Sequence, residues 1–521
     1  MFGKREEKKI MHTRREFLMS TAAAGALLAM PQATNAAGDR SLNVAIGDEP
    51  TTIDQSIAWT GVDYTTAENY AEYLIQRSPA GELVPGLAER WTLSSDGKTL
   101  DLFLRRGVKF HSGDDFTAQD VIFSFERGRA KSSTVKSRLS SVAKIGAVDT
   151  HQVRVEFSKP DVTFVPNRCA AMISSKSYFE RVGEAEFGKK PSGTGPFRFT
   201  EYKPGEYLDV ERFDGYWGGP VQVEKARFSF VAEETTRVAK MQAGEADLIT
   251  SCPYFAVKGF EGNSSYNVVK LSLYHPTMSI VFGTQNPKVP WADKRVRRAM
   301  AHAIDCDAII KGVLFGIPDR LAFLAPYEVG YDADLKPFAY DPATAKKLLA
   351  EAGYADGFPM KLSYAVTGRV QMNNQVAEAI ASYFEAVGIK TQLAGEEWGA
   401  YRNAYNAGKE PGAQYVGLFT HGRAGAVDPT YNFSLFFQTG GPISIYSNPK
   451  LDELNARAKA TADNAERAEL VKQLVRMVQD EVPSFPVYNN VAVYITSKRI
   501  KFTPTKNFNF DLVQLKDVTF V

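Results

Sequence analysis

Short stretches in which apolar and polar residues alternate run through the first half of the chain, and they predict β-strands. The stretch 41–46 puts Leu42, Val44 and Ile46 on one face. A helix over 64–76 is predicted after it, beyond a turn. A strand followed by a helix is typical of the start of an α/β lobe.

The pattern changes between residues 84 and 190, which we interpret as an α/β subdomain inserted into the first lobe. Strands are predicted at 100–105 and 153–157. Thr117 can cap a helix between them, because a threonine hydroxyl accepts a hydrogen bond from an amide of the first helical turn. After the insertion, two strands between 197 and 212 return the chain to the first lobe.

Beyond residue 286, helices and strands alternate, which predicts βαβ units and a mostly parallel sheet in a second lobe. In chain order the pattern predicts a helix at 294–304, a helix at 341–352, a strand at 360–366, a helix at 371–387, a strand at 389–393, and helices at 451–460 and 465–479. An apolar strand at 487–495 then carries the chain back to the first lobe. Two crossings between lobes make a hinge.

The predicted fold class is therefore α/β, with two lobes, an inserted α/β subdomain in lobe one and two hinge-crossing strands. The length agrees, because 521 residues exceed the roughly 250–300 at which a single core stops growing. The predicted boundaries are an export signal at 1–36, lobe one at 37–83, the inserted subdomain at 84–190, lobe one again at 191–280, lobe two at 281–485, and a return to lobe one at 486–521.

Charge and composition limit the classes of partner that this protein is expected to bind. The chain has 62 Lys and Arg residues against 60 Asp and Glu, a formal net charge of +2. Neither nucleic acid nor an anionic membrane surface is therefore an expected partner. The 23 Tyr and 33 Phe residues exceed what core packing usually needs, and aromatic faces suit clefts that hold small ligands.

The first 36 residues have the pattern of an export signal. Basic residues precede Arg14 and Arg15, an apolar run follows at 21–30, and small residues at 34–36 suit cleavage. The pattern resembles a twin-arginine signal and predicts a mature periplasmic protein that begins near Ala37. The apolar run is too short to span a hydrocarbon core of about 30 Å, so the mature protein is not expected to cross a membrane. The alternative is an amphipathic helix that starts a cytosolic protein.

Cysteine and histidine usage indicates neither a metal site nor a cofactor. Cys169, Cys252 and Cys306 lack the spacing of a metal-binding pair and allow at most one disulfide. The six histidines are scattered without ligand spacing. The motifs of serine hydrolases, zinc proteases, phosphate loops and dinucleotide-binding folds do not occur, so we do not expect an enzyme.

Several spaced motifs resemble those of one family of transport receptors. They include LAERW at 87–91, LRRGVKFHSG at 104–113, GTGPFR at 193–198, DKRVRRA at 293–299 and DP at 428–429. In this order they resemble the bacterial extracellular solute-binding proteins of family 5, the peptide and nickel receptors of ABC importers. The resemblance implies a two-lobed periplasmic binding protein fold, closure on a ligand, a monomer, and delivery to the permease transmembrane subunits with their ATPases.

The resemblance and the predicted strand ends together give candidate ligand residues in lobe two. Arg369 follows the strand at 360–366, at the carboxyl end where α/β sheets present ligand sites. In dipeptide-binding relatives an arginine at the matching position holds the peptide carboxylate. The alternative is a solvated loop arginine. Trp398 and Tyr401 follow the next strand and offer a cleft wall, although Trp398 could instead pack its helix.

The segment before Pro429 departs from the pattern of peptide receptors. Aligned on Asp428 and Pro429, Gly425 occupies the position of the amine-binding aspartate, with Arg423 nearby. Arg423 together with Arg369 would favour an anionic solute such as an opine or a sugar acid. Asp428 could replace the lost carboxylate, although an aspartate before proline more often shapes a turn.

Polar side chains beside apolar strands complete the predicted site. Thr277, Tyr488 and Asn489 are candidate floor residues near the hinge. Trp59 follows the first turn and could cover the ligand, with core packing as an equal explanation.

These observations predict a periplasmic substrate-binding component of an ABC importer that captures a peptide and leaves it chemically unchanged. The alternatives are the same role for an opine, a sugar acid, an oligosaccharide or a metal chelate, and a chemoreceptor partner without transport. The rival class is an enzyme, which turnover in hydrolase assays would reveal.

We expect Arg369→Ala to lower the affinity for a peptide ligand at least tenfold, about 1.4 kcal/mol, because the ligand carboxylate loses its guanidinium partner. Isothermal titration calorimetry measures the change. An unchanged dissociation constant would remove Arg369 from the site.

Overall fold

A computed structural model shows that β-strands dominate the architecture of this protein. The structure describes residues 39–58, 60–130, 133–166, 171–366, 370–421, 428–505 and 512–521. In chain order the strands are β1 (Ser41–Ile46), β2 (Ile75–Arg77), β3 (Leu83–Pro85), β4 (Ala88–Leu93), β5 (Thr99–Leu104), β6 (Val142–Asp149), β7 (Gln152–Phe157), β8 (Phe197–Lys203), β9 (Tyr207–Arg212), β10 (Lys225–Phe230), β11 (Leu248–Ile249), β12 (Tyr266–Phe282), β13 (Phe358–Ala365), β14 (Ile389–Glu396), β15 (Val416–His421), β16 (Ser484–Ser497), β17 (Ile500–Phe502) and β18 (Val518–Phe520).

The α-helices cover the sheets and lie mostly in the second half of the chain. They are α1 (Gly61–Ala67), α2 (Ala118–Arg129), α3 (Lys176–Val182), α4 (Glu184–Phe187), α5 (Glu234–Gln242), α6 (Tyr254–Phe260), α7 (Lys294–Ala303), α8 (Cys306–Gly312), α9 (Pro342–Glu351), α10 (Asn373–Glu385), α11 (Trp398–Ala407), α12 (Pro429–Phe436), α13 (Pro449–Ala460) and α14 (Asn464–Glu481). None of these described helices combines the length and apolar character needed to cross a bilayer.

Among the described residues, ten strands form one continuous sheet in the order β14-β13-β15-β12-β16-β11-β1-β10-β9-β8. β13 is parallel to β14 and β15, as the βαβ pattern predicts, and β1 is parallel to β10 and β11. The two predicted crossing strands, β12 and β16, are antiparallel neighbours and join the halves of the sheet. A separate sheet of β4, β5, β7 and β6 lies within the predicted inserted subdomain.

The main sheet is packed on both faces, and β12 shows this for the second half. Met278 and Ile280 point into a core shared with α7 and α10, whereas Val281 points into a core shared with α11 and α14. This alternation follows from the period of two along a strand. The exact domain boundaries given above remain predictions.

The local signals in the sequence locate most elements to within a few residues. Asp293 and Asp341 cap α7 and α9 by accepting hydrogen bonds from amides of the first turn. Thr117 forms a capping box with Asp120 at the start of α2. Gly353, just after α9, has φ +90°, a conformation that glycine adopts without steric cost.

The predicted helix over 64–76 is wrong, because α1 ends at Ala67 and β2 begins at Ile75. The chain leaves the helix where Asn69 binds the C-terminal segment: its Nδ2 donates to the carbonyl of Val513 and its Oδ1 accepts from the amide of Leu515. These partners are far away in sequence, so the local pattern could not reveal them.

The Gly193-Thr-Gly-Pro motif allows two backbones to pack against each other. A Cβ atom at Gly193 would collide with the carbonyl oxygen of Tyr70, and one at Gly195 would lie 2.7 Å from the carbonyl carbon of the same residue. His111 bonds both glycines, because its amide donates to the carbonyl of Gly193 at 2.9 Å and its Nε2 lies 2.9 Å from that of Gly195. The motif is therefore structural in this fold.

Two buried arginines, Arg237 and Arg297, have matching roles in the two halves of the molecule. Each side chain donates to carbonyl oxygens of two loops that are distant in sequence. The acceptors are Val231, Ala232, Thr250 and Ser251 for Arg237, and Trp291, Ala292, Glu481 and Val482 for Arg297. A planar guanidinium suits this task, since its five N–H groups satisfy buried carbonyls that would otherwise be costly.

We expect Arg297→Met to lower the free energy of unfolding by at least about 2 kcal/mol, because several buried carbonyls lose their donor. Arg298→Met is the matched control on the same helix, since Arg298 is 36% exposed and pairs with Asp480; it should cost less than about 0.5 kcal/mol. Denaturant titrations of both variants measure the difference. Equal effects would contradict this role for Arg297.

Candidate functional site

The pairing of β12 and β16 is interrupted where these strands pass between the two halves of the sheet. Ser272 pairs with Val491, and Thr277 pairs with Asn489. Four residues of β12 (273–276) therefore lie opposite a single residue of β16 (490). A second, smaller register shift lies between Met278 and Ser279 of β12, and the antiparallel register is regular elsewhere. A bulge of this kind bends the strand and disrupts the ladder locally.

Three strand ends meet beside this interruption. β13, β14 and β15 run parallel and therefore end at the same edge of the sheet. The last residue of β15, His421, pairs with Thr277 on β12. The segments after these strands contain the candidates Arg369, Trp398 and Arg423. Arg369 and Arg423, like Trp59, lie outside the described residues.

Asn489 and Thr277 lie together at this edge, but their polar groups serve the fold. The Asn489 Nδ2 donates to the Thr277 hydroxyl at 2.9 Å, and its Oδ1 accepts from the amide of Leu321 at 2.9 Å. The backbone of Asn489 also exchanges hydrogen bonds with Asp319. Asn489 thus fixes the segment 319–324 against the crossing strand, and both side chains are buried.

Tyr488 lies on the opposite face of the sheet from Asn489, as alternation along a strand requires. It is buried in the core that contains Tyr254 and Met278. Its hydroxyl has no hydrogen-bond partner among the described residues, and burial raises the pKa of the phenol. Its assignment to the cleft floor stays a prediction that this environment does not favour.

Trp398 and Tyr401 occupy different environments on α11. Trp398 is 37% exposed at the start of the helix, directly after β14. Tyr401 is 1% exposed, and its hydroxyl donates to the carbonyl of Leu418 at 2.9 Å. Its ring packs on Phe419. Trp398 is therefore accessible to a ligand, while we leave Tyr401 out of the proposed site.

Asp428 begins α12 and is almost completely buried. Its carboxylate accepts from the amide of Thr430 and forms an ion pair with Arg467, whose side chain is also buried. Breaking such a pair would leave an uncompensated charge. The turn-forming role considered for Asp428 thus agrees with its geometry, and we do not include it among the ligand residues.

Arg138 is a further candidate for the site that no sequence pattern indicated. Its guanidinium lies 5.4 Å from the ring centre of Tyr64, and it interacts electrostatically with Tyr64, Tyr73 and Tyr431. Tyr431 is on α12, whereas Tyr64 is on α1 and Tyr73 lies between α1 and β2. Burial would lower the pKa of Arg138, but the three phenol oxygens outweigh it and the pKa is raised. The Arg138 guanidinium thus lies beside the ring of Tyr64 and interacts electrostatically with Tyr431 on α12.

The described residues offer no clustered metal ligands. No three histidine, cysteine, aspartate or glutamate side chains in the described ranges come together around a common point. Cys252 and Cys306 are buried free thiols, and burial raises their pKa values to about 12 and about 11. Such thiols are unreactive. Cys169 lies outside the described residues.

Comparison with known proteins identifies the family. A family model described as "Bacterial extracellular solute-binding proteins, family 5 Middle" matches residues 82–443. The chain belongs to family 5 of the bacterial extracellular solute-binding proteins. It is also 30% identical over 454 residues to the dipeptide-binding protein of Escherichia coli (strain K12), across 81% of this chain and 83% of that one.

Two solved structures are similar to this solute-binding protein over 92% of its length, each at 25% identity. The periplasmic binding protein DppA from Helicobacter pylori, in complex with the peptide STSA, has a TM-score of 0.76 and is covered over 98%. HbpA2 from Haemophilus parasuis has a TM-score of 0.80 and is covered over 100%. The predicted two-lobed α/β fold is confirmed, as is the role as substrate-binding component of an ABC importer.

We expect Tyr488→Phe to leave ligand affinity unchanged and stability unchanged or slightly higher, because it removes only a buried hydroxyl without a partner. Asn489→Ala should instead lower the free energy of unfolding by about 2 kcal/mol, since the amide of Leu321 loses its acceptor. Calorimetric titration and denaturant unfolding separate the two effects. A tenfold loss of affinity in Tyr488→Phe would return this hydroxyl to the site.

Proposed function

We propose that this solute-binding protein captures short peptides between its two lobes and delivers them to a membrane permease. The observation that carries the proposal is the similarity to the dipeptide-binding protein of Escherichia coli across 81% of the chain. The structure complexed with the peptide STSA supports the same ligand class. Transmembrane permease subunits and their ATPases are the proposed partners.

Closure around the interruption in β12 is the proposed mechanism of capture. The lobes share two strands, so rotation between them can be absorbed by the few residues that break the register. Closing removes water from the space between α12 and the segments that carry Tyr64 and Arg138. Hydrogen bonds and ion pairs to the ligand then act in a medium of lower effective dielectric.

Arg138 is a proposed partner for the ligand carboxylate, together with Arg369. The ring of Tyr64 lies beside its guanidinium, and a planar guanidinium suits a carboxylate because it can donate two parallel hydrogen bonds. A charge-assisted hydrogen bond from a guanidinium is about twice as strong as one between neutral groups.

An anionic non-peptide solute is the second candidate. Gly425 stands where peptide receptors of this family carry the amine-binding aspartate, and Asp428 already pairs with Arg467. With Arg138, Arg369 and Arg423, the balance of charge would favour an opine, a sugar acid or an anionic chelate.

Export and the absence of catalysis complete the proposal. The twin-arginine pattern at Arg14 and Arg15 supports export to the periplasm in the folded state, with cleavage near Ala37. The relatives are receptors by name, which supports binding without turnover. Mass spectrometry of the solute released from the purified protein tests the ligand class, because a peptide, an opine and a chelate differ in mass and fragmentation.

We expect Arg138→Ala to weaken binding of trialanine at least tenfold while changing the affinity for trialanine amide less than twofold, because only the free acid offers a carboxylate. Lys144→Ala is the control for loss of a positive charge, since Lys144 is 74% exposed and lies 3.8 Å from its partner Glu156. Calorimetry of both ligands with both variants measures the effect. Equal losses for acid and amide would rule out a carboxylate contact.

A further inference from the structure

The side chain of Gln371 joins the two halves of the main sheet. Gln371 follows β13, which pairs with β14 and β15 in the second half. Its Oε1 accepts from the amide of Tyr254 at 2.8 Å, and its Nε2 donates to the carbonyl of Cys252 at 3.3 Å. Both partners follow β11, which pairs with β1 in the first half. One side chain from the second half therefore binds the backbone of the first half twice.

Tyr254 connects this contact to the hinge. Its hydroxyl donates to the carbonyl of Val491 at 3.0 Å and accepts from the amide of the same residue at 3.3 Å. Val491 is the residue of β16 that pairs with Ser272, where the register of β12 breaks. A phenol hydroxyl can make both bonds because it is a donor as well as an acceptor. Tyr254 thus binds Gln371 through its backbone and the hinge strand through its side chain.

Each end of the contact is anchored within its own half. The amide of Cys252 donates to the carbonyl of Val493 on β16 at 2.9 Å. The Asn373 Nδ2 donates to the carbonyl of Ala365 at 2.7 Å, which ties the start of α10 to the end of β13. Gln371 lies between these two residues in the chain. Because neither end can follow a rotation of the other half, opening of the lobes must stretch or break the bonds of Gln371.

Two residues with a left-handed backbone flank the contact. Ser251 has φ +48° directly before Cys252, and Met372 has φ +58° directly after Gln371. This conformation is unfavourable for residues other than glycine, and it persists only where the surrounding structure enforces it. Such positions cluster at ligand clamps and switch regions. The backbone on both sides of the contact is therefore held in a geometry that it would not adopt alone.

We propose that Gln371 is a positioning residue for ligand capture, a latch between the halves that favours the closed form without touching the ligand. The candidate Arg369 precedes it by two residues, so the chain segment that would hold a ligand carboxylate also carries the latch. The bonds of Gln371 end on the receptor's own backbone, so they favour closure equally for every ligand. A receptor whose closed form is less populated binds each ligand more weakly by the same factor. This inference rests on the proposed closure around the interruption in β12.

Calorimetric titration of Gln371→Met with trialanine and trialanine amide tests the latch. Methionine keeps the length of the side chain and removes both hydrogen bonds. The variant should bind both peptides about five- to tenfold more weakly, by factors that agree within twofold. Gln392→Met is the matched control, since Gln392 is exposed on β14 in the same half, and it should bind both peptides within twofold of the unsubstituted protein. A loss confined to the free acid, or no loss for either peptide, would overturn the latch.

Tyr254→Phe distinguishes a latch that acts on the hinge from a purely local contact. It leaves the amide that Gln371 binds and removes the hydroxyl that reaches Val491. Residues that act through one chain of contacts are not additive, so the double variant should lose no more affinity than the weaker-binding single variant. Losses that multiply would overturn the proposal. Denaturant titration of each variant verifies that the affinities refer to folded protein.

Hydrogen exchange tests the latch without a peptide. Gln371→Met should make the amide of Val491 exchange at least fivefold faster, because the Tyr254 hydroxyl that accepts from it is held less firmly. Amides of β10 serve as controls and should be unchanged. Unchanged exchange at Val491 would overturn the latch even if both peptides bind. If neither peptide binds the unsubstituted protein, the proposed peptide ligand is overturned, and the exchange of Val491 alone decides the latch.

Discussion

The antiparallel pairing of β12 with β16 is the constraint on which the rest of this structure depends. This pairing extends from Tyr266 to Val281 with register shifts at two neighbouring points, after Ser272 and after Met278, so both halves of the molecule belong to a single sheet. Backbone hydrogen bonds resist shear wherever the register is regular, and rotation is therefore concentrated in the unpaired residues. β13, β14 and β15, which precede the candidate ligand segments, end beside these points, and this arrangement would couple the proposed capture to movement.

Around the hinge, polar side chains that look suited to ligands are already used by the fold. Asn489 organises the segment 319–324, and Asp428 starts α12 while pairing with Arg467. The groups that we propose for recognition come from loops after strands and from the predicted inserted subdomain, which carries Arg138. This division is common, because a rigid scaffold positions variable loops.

The sequence was sufficient for features with local causes and insufficient for those made by distant contacts. Helices such as α7 and α9 have aspartate caps and clear periodicity, so their limits were predictable. The prediction of a helix over 64–76 was wrong because Asn69 binds a segment more than 400 residues away. Arg138 was missed because three tyrosines define its environment, and they come from separate parts of the chain.

The buried arginines Arg237 and Arg297 have one more consequence. The hydrogen bonds described above for both side chains end on carbonyl oxygens, which do not bind protons in the range where proteins fold, and the Glu481 carboxylate lies 3.9 Å from the Arg297 guanidinium. A guanidinium likewise keeps its charge in that range. Acidification should therefore leave these backbone hydrogen bonds in place, so the loops that each arginine joins should stay together when carboxylates elsewhere become protonated.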